Sequence, residues 1–163
     1  PVVHVMFDDV NLALIPKNAE AVAGYVNGRY NTWEAVLKDF PHAKHLSIAV
    51  TASADADCLD VEQGDAVATQ VPEWVVRQKK RGVQKPVVYT SVSNVGFVLR
   101  ELDKAGIKRS AIKLWTAHYT DKAHLCSSKC GFGFTGKADA TQWTNRSLNK
   151  SLDESLLAPN FFA

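Results

Sequence analysis

Two carboxylates stand two positions apart in the segment Cys58-Leu59-Asp60-Val61-Glu62. Successive side chains of a β-strand point to opposite faces, so Asp60 and Glu62 leave the same face with Cα atoms roughly 6.5 Å apart. Two acids at the end of a buried strand are costly to desolvate unless they have a role. Glycoside hydrolysis is a chemistry that needs two neighbouring carboxyls in different protonation states. The alternative interpretation is that the strand ends here and both acids are solvated.

The elements that would position this pair are short apolar runs alternating with helical patterns. Strands are predicted over residues 2–7, 24–30, 45–51, 58–62, 86–90, 112–119, 139–143 and 151–156, and helices over 16–23, 33–40, 72–81 and 94–105. Strands separated by helices imply right-handed crossovers and a parallel sheet. We therefore expect one α/β domain over residues 1–163, a compact or truncated (β/α) TIM-like barrel with parallel strands and with several helices replaced by loops. An open doubly wound sheet is the alternative, but no glycine-rich phosphate loop follows the first strand.

Active sites of parallel barrels lie at the carboxyl ends of the strands. The acidic, aromatic and amide side chains at those predicted ends are Asp8, Asp9, Asp60, Glu62, Tyr89, Trp115, His118, Tyr119, Gln142, Trp143 and Asp153. Aromatic faces stack on pyranose rings, and carboxylates bind hydroxyls and transfer protons. This set predicts a sugar site. Strand alternation lets only one of Asp8 and Asp9 point inward.

Several short motifs occur in the order found in a known family. Asp9-Val10-Asn11 is similar to the family's D-V-S motif, and Leu59-Asp60-Val61-Glu62 is similar to its D-x-E signature. Further along, Val88-Tyr89-Thr90 is similar to I-Y-T, and the segment 114–119 is similar to L-W-x-A-x-Y. Gln142-Trp143 and Leu152-Asp153 lie where the family has a W-Q-Y strand and a terminal aspartate. In these motifs the chain resembles glycoside hydrolase family 25, the lysozyme-like muramidases. The segment from Gly24 to Tyr30 also resembles an actinobacterial branch of glycoside-hydrolase-like domains.

The resemblance implies a role for each candidate residue. Glu62 would be the general acid, and Asp60 would orient and charge-stabilise the substrate's N-acetyl group, which acts as internal nucleophile. Asp9, favoured over Asp8 by the D-V-S match, would bind the sugar or position water, and Asp153 would complete the acidic set. The implied substrate-binding residues are Asp8, Tyr89, Trp115, His118, Tyr119, Gln142 and Trp143. Core packing is the alternative role for Trp115, His118 and Trp143.

Charge and hydropathy limit the partners. Lys and Arg number 19 against 17 Asp and Glu, a formal net charge of +2, so a nucleic-acid partner is not expected. No apolar run approaches the ~20 residues that span a membrane, so no membrane partner is expected either. The expected partner is peptidoglycan or a related glycan. We expect a monomer without a cofactor, located in the bacterial envelope or outside the cell, or encoded by a phage and made in the host cytoplasm.

Three cysteines, an odd number, give no disulfide framework. Cys126 and Cys130 would close a small loop by a disulfide in an oxidising compartment. His118 and His124 lie near this pair, which raises zinc as an alternative, but the spacing fits no standard zinc site. No metal is therefore expected. Cys58 is expected to be a small core residue.

Two functions remain. The first is hydrolysis of peptidoglycan glycan strands, as in a phage endolysin or an actinobacterial wall enzyme. The second is a non-catalytic glycan-binding or phage structural module on the same fold. The second is favoured by the short chain and by a third strand, Leu46-Ser47-Ile48-Ala49-Val50-Thr51, without the family's aromatic residues.

Overall fold

The computed structural model describes residues 2–163, which form a closed barrel of eight strands in chain order. The strands are β1 (Val5–Asp8), β2 (Ala21–Tyr25), β3 (Lys44–Ala49), β4 (Cys58–Asp60), β5 (Val87–Ser91), β6 (Lys113–Ala117), β7 (Ala140–Thr144) and β8 (Asp153–Leu157). Closure pairs β8 with both β1 and β7, so every strand has two hydrogen-bonded neighbours. A closed barrel therefore leaves no edge strand for unwanted pairing.

The barrel is mixed rather than all parallel. Strands β1 to β7 run parallel to their neighbours, whereas β8 runs antiparallel to both β7 and β1. The prediction of an α/β barrel agrees with this fold, but the prediction that all strands are parallel is wrong for β8. Only residues 145–152 connect β7 to β8, and a parallel crossover needs a dozen residues or more.

Three short helices cover part of the barrel: α1 (Trp33–Asp39) follows β2, α2 (Val71–Lys80) follows β4, and α3 (Val95–Lys104) follows β5. The remaining parallel crossovers are loops with at most a 3-10 turn, in agreement with the expected loss of helices. The predicted helix over 16–23 is wrong. Residues 21–24 are instead buried in strand β2. Ala21 and Ala23 face the barrel interior, and Val22 packs in the layer under α1. Because both faces of this strand are buried, its apolar residues follow one another without the spacing of a helix.

Two apolar layers stabilise the barrel. The interior cluster includes Met6, Ile48, Cys58 and Trp115, and Phe161 near the chain's end joins it with 3% of its surface exposed. Cys58 is thus a core residue, as expected. The outer layer packs the opposite strand faces against the helices. Burial of these apolar surfaces supplies the dominant favourable term in folding.

Helix α2 is typical of the outer layer. Pro72 lies in its first turn, and Trp74, Val75 and Gln78 are buried on one face. The Trp74 indole donates to the Ala54 carbonyl at 2.9 Å. The basic residues of this helix partly face the β3–β4 loop, where Asp55 forms ion pairs with Arg77 (3.0 Å) and Arg81 (3.5 Å). Within residues 2–163 no helix has the length and apolarity needed to cross a bilayer.

Candidate active site

A polar pocket opens at the end of the barrel where the parallel strands terminate. Its volume is about 110 Å³, and its lining consists of inward-facing strand-end residues: Asp8, Tyr25, Ile48, Asp60, Glu62, Tyr89, Trp115, Tyr119, Gln142 and Asp153. Asp153 reaches the same end because β8 runs in the opposite direction, so the first residue of β8 is paired with Asp8, the last residue of β1. The pocket is thus lined by the first residue of the antiparallel strand β8 and by residues near the ends of the parallel strands.

Gln142 is the central hydrogen-bonding residue of the pocket. Its side-chain carbonyl accepts hydrogen bonds from the hydroxyls of Tyr89 and Tyr119, both at 2.7 Å. Its amide nitrogen donates to Asp8 at 3.0 and 3.2 Å and, at 3.5 Å, to Asp153. One buried amide therefore fixes two tyrosines and two carboxyls on strands β1, β5 and β8 and on the segment that follows β6.

Asp8 and Asp153 form the first carboxyl pair. Burial raises the pKa of Asp8 well above its usual range, and the neighbouring Asp153 raises it further. Burial also raises the pKa of Asp153, to about 6. Two carboxyls this close cannot both be ionised at low cost, so the pair retains a proton near neutral pH. Burial likewise raises the tyrosine pKa values of Tyr25 and Tyr89, so these hydroxyls stay protonated and can donate.

Asp60 and Glu62 form the second carboxyl pair. Strand β4 ends at Asp60, and the amide of Asp65 then donates to the Glu62 carbonyl at 2.9 Å, so the chain turns back toward Asp60. The carboxylates of Asp60, Glu62 and Asp65 come within 4.8 Å of one another. Asp60 has 3% of its surface exposed, and its Oδ1 atom has no hydrogen-bond partner, whereas Glu62 is exposed. Burial, followed by the charge of Glu62, raises the pKa of Asp60 to about 10.

Glu62 lies where three cavities meet. Besides the central pocket it lines a cavity of about 350 Å³ with Tyr25, Arg29 and Tyr30, and another of about 320 Å³ with Phe97. Tyr30 is 49% exposed, and the Arg29 guanidinium stacks over its ring at 5.4 Å. Tyr119, which lines the central pocket, is also 49% exposed. Two exposed aromatic rings thus lie in adjoining cavities that share Asp60 and Glu62, and these cavities form a groove whose acidic residues are Asp60, Glu62 and Asp65.

Of the eleven sequence-predicted site residues, eight line the central pocket and three lie elsewhere. Asp8, not Asp9, lines the pocket, because β1 continues through Asp8 with alternating orientation and Asp9 leaves the strand to accept from the Asn11 amide at 2.7 Å. Trp143 lies outside the pocket, because its strand neighbour Gln142 occupies the inward position. Neither Asp9 nor Trp143 therefore lines the central pocket.

His118 also lies outside the pocket. Its Nδ1 atom contacts His124 Nε2 at 3.1 Å and Cys126 Sγ at 3.6 Å, while the next residue, Tyr119, reaches Gln142. Its predicted role in substrate binding is not supported by this position. Trp115 does line the pocket, but it is 1% exposed and its indole donates to the Ser155 hydroxyl at 2.9 Å, so it forms the pocket floor rather than a stacking platform.

Three pocket or groove residues were missed by the sequence reasoning: Tyr25, Tyr30 and Asp65. Tyr25 ends β2 two positions after Ala23 and so points into the barrel, a signal hidden by the wrong boundaries of that strand. Asp65 reaches Asp60 only because of the turn after Glu62. Tyr30 lies in a loop, where alternation gives no orientation.

Two side-chain groups among the described residues have the donors to hold a metal ion. One is the acidic group of Asp60, Glu62 and Asp65. The other is His118, His124, Cys126 and Cys130, whose donor atoms all lie within 4.8 Å of one another. The three cysteines are free in this structure, and the Cys126–Cys130 disulfide considered for an oxidising compartment is not formed in it.

Two solved structures have a fold similar to that of this chain. The bacterial lysozyme from Streptomyces coelicolor superposes with a TM-score of 0.61 at 12% identity, covering 96% of this chain and 92% of that one. An uncharacterized protein of B. stearothermophilus superposes with a TM-score of 0.61 at 10% identity, covering 96% of each chain. No family model matches the sequence, and no curated protein matches it. The chain therefore has a lysozyme-like α/β barrel fold, and its activity must be argued from its own residues.

Proposed function

We propose that this protein is a glycoside hydrolase of the muramidase type that cleaves peptidoglycan glycan strands. One observation carries the proposal: a carboxylate oxygen of Asp60 and one of Glu62 lie within 4.8 Å of each other at the carboxyl end of the barrel, where Asp60 is buried and Glu62 is exposed. The similarity to glycoside hydrolase family 25 and the likeness in fold to a bacterial lysozyme support it.

The separation of the two carboxyls bears on the mechanism. An inverting glycosidase needs its carboxyls roughly 6.5–9.5 Å apart so that a water molecule fits between them. A pair as close as Asp60 and Glu62 favours a reaction with retention, in which the substrate's own acetamide is the nucleophile. The unpartnered Oδ1 atom of Asp60 is then available to accept a hydrogen bond from the acetamide N–H. Such a bond would satisfy a buried oxygen that otherwise has no partner.

The bond changes follow from these positions. The acetamide carbonyl oxygen attacks the anomeric carbon, the glycosidic C–O bond breaks, and the leaving oxygen takes the proton of Glu62. Water then opens the resulting oxazolinium ion and returns a proton to Glu62. Asp60 accepts a hydrogen bond from the acetamide N–H and so orients the acetamide for this attack. At neutral pH Asp60 itself holds a proton, because burial raises its pKa to about 10, so a second proton is stored beside the acid.

The surroundings of the pair fit a polymer. The central pocket of about 110 Å³ is small, but the adjoining cavities of about 350 and 320 Å³ extend from Glu62 in two directions. The exposed rings of Tyr30 and Tyr119 offer faces for pyranose stacking on either side. A glycan chain that crosses this groove would present an internal linkage, rather than a free end, to Glu62.

The test is the release of reducing ends from purified peptidoglycan, measured together with loss of turbidity. Replacing Glu62 by glutamine should lower the rate roughly 10²- to 10⁴-fold, the usual contribution of general acid catalysis. Glu34→Gln, which removes an exposed carboxyl of helix α1, is the matched control and should keep the wild-type rate. An equal rate for wild type and Glu62→Gln would reject Glu62 as the acid.

The second candidate function is a glycan-binding or phage structural module without turnover. The specific observation in its favour is that Asp60, with a pKa raised to about 10 by burial, is neutral at physiological pH and carries no charge for catalysis. Sedimentation of the protein with peptidoglycan, without release of reducing ends, would favour this function. Either function would place the protein at the bacterial cell envelope or outside the cell, whether its gene is bacterial or carried by a phage.

A further inference from the structure

The connection between β6 and β7 is long and has little regular structure. Residues 118–139 contain only one short 3-10 turn (Ser128–Cys130), and loops of this length in compact domains are usually functional or tied down. Asp121 and Phe132 have φ angles of 59° and 56° in this loop, a backbone region that non-glycine residues avoid. Such conformations persist only where the surroundings hold them in place. The loop packs few apolar side chains, and the Phe132 ring is 62% exposed.

Four donor atoms converge at the centre of this loop. His118 Nδ1 lies 3.1 Å from His124 Nε2, and Cys126 Sγ lies 3.6 Å from the first nitrogen and 3.7 Å from the second. Cys130 Sγ completes a set in which all four atoms are within 4.8 Å of one another. With Zn–S bonds of about 2.3 Å and Zn–N bonds of about 2.05 Å, a tetrahedral site separates two nitrogens by about 3.3 Å and a nitrogen from a sulfur by about 3.6 Å. The observed distances match these separations.

Hydrogen bonds hold His124 and Cys126 in orientations suited to this role. His124 Nδ1 donates to the Lys122 carbonyl at 2.7 Å, which leaves the lone pair of Nε2 directed at the cluster. A second bond from the non-ligating ring nitrogen is the usual way in which proteins fix a metal-binding histidine. The Cys126 amide donates to the Thr141 hydroxyl at 2.9 Å and so ties the fully buried cysteine to β7. The donors are therefore held by the barrel.

We propose that His118, His124, Cys126 and Cys130 bind one structural Zn²⁺ ion that fixes the β6–β7 loop. Two thiolates and two imidazoles in tetrahedral arrangement are the donor set that zinc prefers over magnesium, calcium or manganese. Four protein ligands leave no position for a substrate or a water molecule, so this ion is structural rather than catalytic. The site is separate from the carboxyl pocket and does not depend on the proposed hydrolase activity.

The zinc site has a mechanical link to the groove. The His118 amide donates to the Gln142 carbonyl at 3.0 Å, and the hydroxyl of the adjacent Tyr119 donates to the Gln142 side chain at 2.7 Å. Fixing His118 therefore also fixes the backbone that presents the exposed Tyr119 ring. Loss of the metal should loosen Tyr119 while the Asp60–Glu62 pair, which belongs to β4 and the turn after it, stays in place.

The experiment measures metal content of the untagged full chain, expressed with zinc in the medium and purified under reducing conditions. Elemental analysis should find about one zinc per chain in the wild type. Cys130→Ser and His124→Ala should retain less than about a tenth of that amount. The matched controls are Cys58→Ala, which removes a thiol from the barrel core, and His42→Ala, which removes an exposed imidazole; both should keep the full zinc content.

A second readout does not depend on folding of the variants. The wild-type chain, stripped of metal and titrated with Co²⁺, should develop the d–d absorption of a tetrahedral ion together with thiolate charge-transfer bands. Absence of zinc and of this spectrum in the folded wild-type chain would overturn the proposal. A non-reduced peptide mass two hydrogens lower, showing a Cys126–Cys130 disulfide in place of the metal, would also overturn it, as would full zinc content in Cys130→Ser.

Discussion

Replacing Asp60 by asparagine should stabilise the protein, and the gain should grow as the pH rises. Burial raises the pKa of Asp60 from its ordinary value of 3.8 to about 10, so between these values the folded chain holds a proton that the unfolded chain has released. The free energy of unfolding then falls by about 1.4 kcal/mol for each pH unit. The penalty is absent below the unfolded pKa of Asp60 and accumulates until its folded pKa is reached.

The magnitude at pH 7 follows from this slope. From the unfolded Asp60 pKa of 3.8 to pH 7 is about three units, which corresponds to about 4 kcal/mol of lost stability. Asparagine has nearly the same shape and does not titrate, so Asp60→Asn should be free of this penalty. The difference in unfolding free energy between variant and wild type should therefore widen by about 1.4 kcal/mol per unit from pH 5 to pH 8.

The assay is urea denaturation at 25 °C and constant ionic strength, at each of four pH values. Taking the difference between two chains cancels the contributions of ionisable groups that are remote from Asp60. Asp103→Asn, a substitution of an exposed aspartate, controls for the change of side-chain chemistry. Parallel stability curves for wild type and Asp60→Asn would refute the assignment of a protonated Asp60.

Two further substitutions test the pocket and the packing beneath it. Gln142→Leu should lower the free energy of unfolding by at least about 3 kcal/mol, because it leaves the buried Tyr89 hydroxyl and Asp8 carboxyl without their hydrogen-bond partner. Urea denaturation measures this loss. A loss below about 1 kcal/mol would contradict the central role of the Gln142 amide. Gly24→Ala should cost about 1–3 kcal/mol, because the new Cβ would lie 2.7 Å from Val36 Cγ2 in helix α1. Gly96→Ala adds a methyl group in the interior of α3, where the nearest atom is the flexible end of Arg100. This substitution should raise the melting temperature, because alanine is favoured over glycine inside a helix. Equal effects at both glycines would contradict the steric argument.

Part of the site was predictable because strand alternation is a local property. Asp60, Tyr89 and Gln142 each occupy the last inward position of a strand whose apolar run is evident in the sequence. The choice between Asp8 and Asp9 failed, because it depends on the residue at which β1 ends, and the motif favoured the wrong one. Strand alternation therefore predicts which side chains share a face of a strand, but not the residue at which the strand ends.

Non-local features were less accessible. The direction of β8 depends on the short connection after β7, and a strand signal looks the same in either direction. The four donor residues of the proposed zinc site follow no standard sequence spacing. His118 and His124 are brought together by a loop that contains two residues with positive φ angles, Asp121 and Phe132. The sequence shows that these histidines and cysteines lie near one another in the chain, but only the folded loop brings their donor atoms together.

The reversed direction of β8 has a consequence for how the protein can be tethered. Strand β1 starts, and strand β8 ends, at the barrel end opposite the carboxyl pocket, where Val5 pairs with Leu156 and Phe161 packs into the barrel interior. The chain therefore enters β1 and leaves β8 on the same side of the molecule. A fusion partner, an affinity surface or a cross-linker attached at either terminus would leave the groove around Glu62 facing outward. A barrel tethered through its termini would thus keep this groove unobstructed.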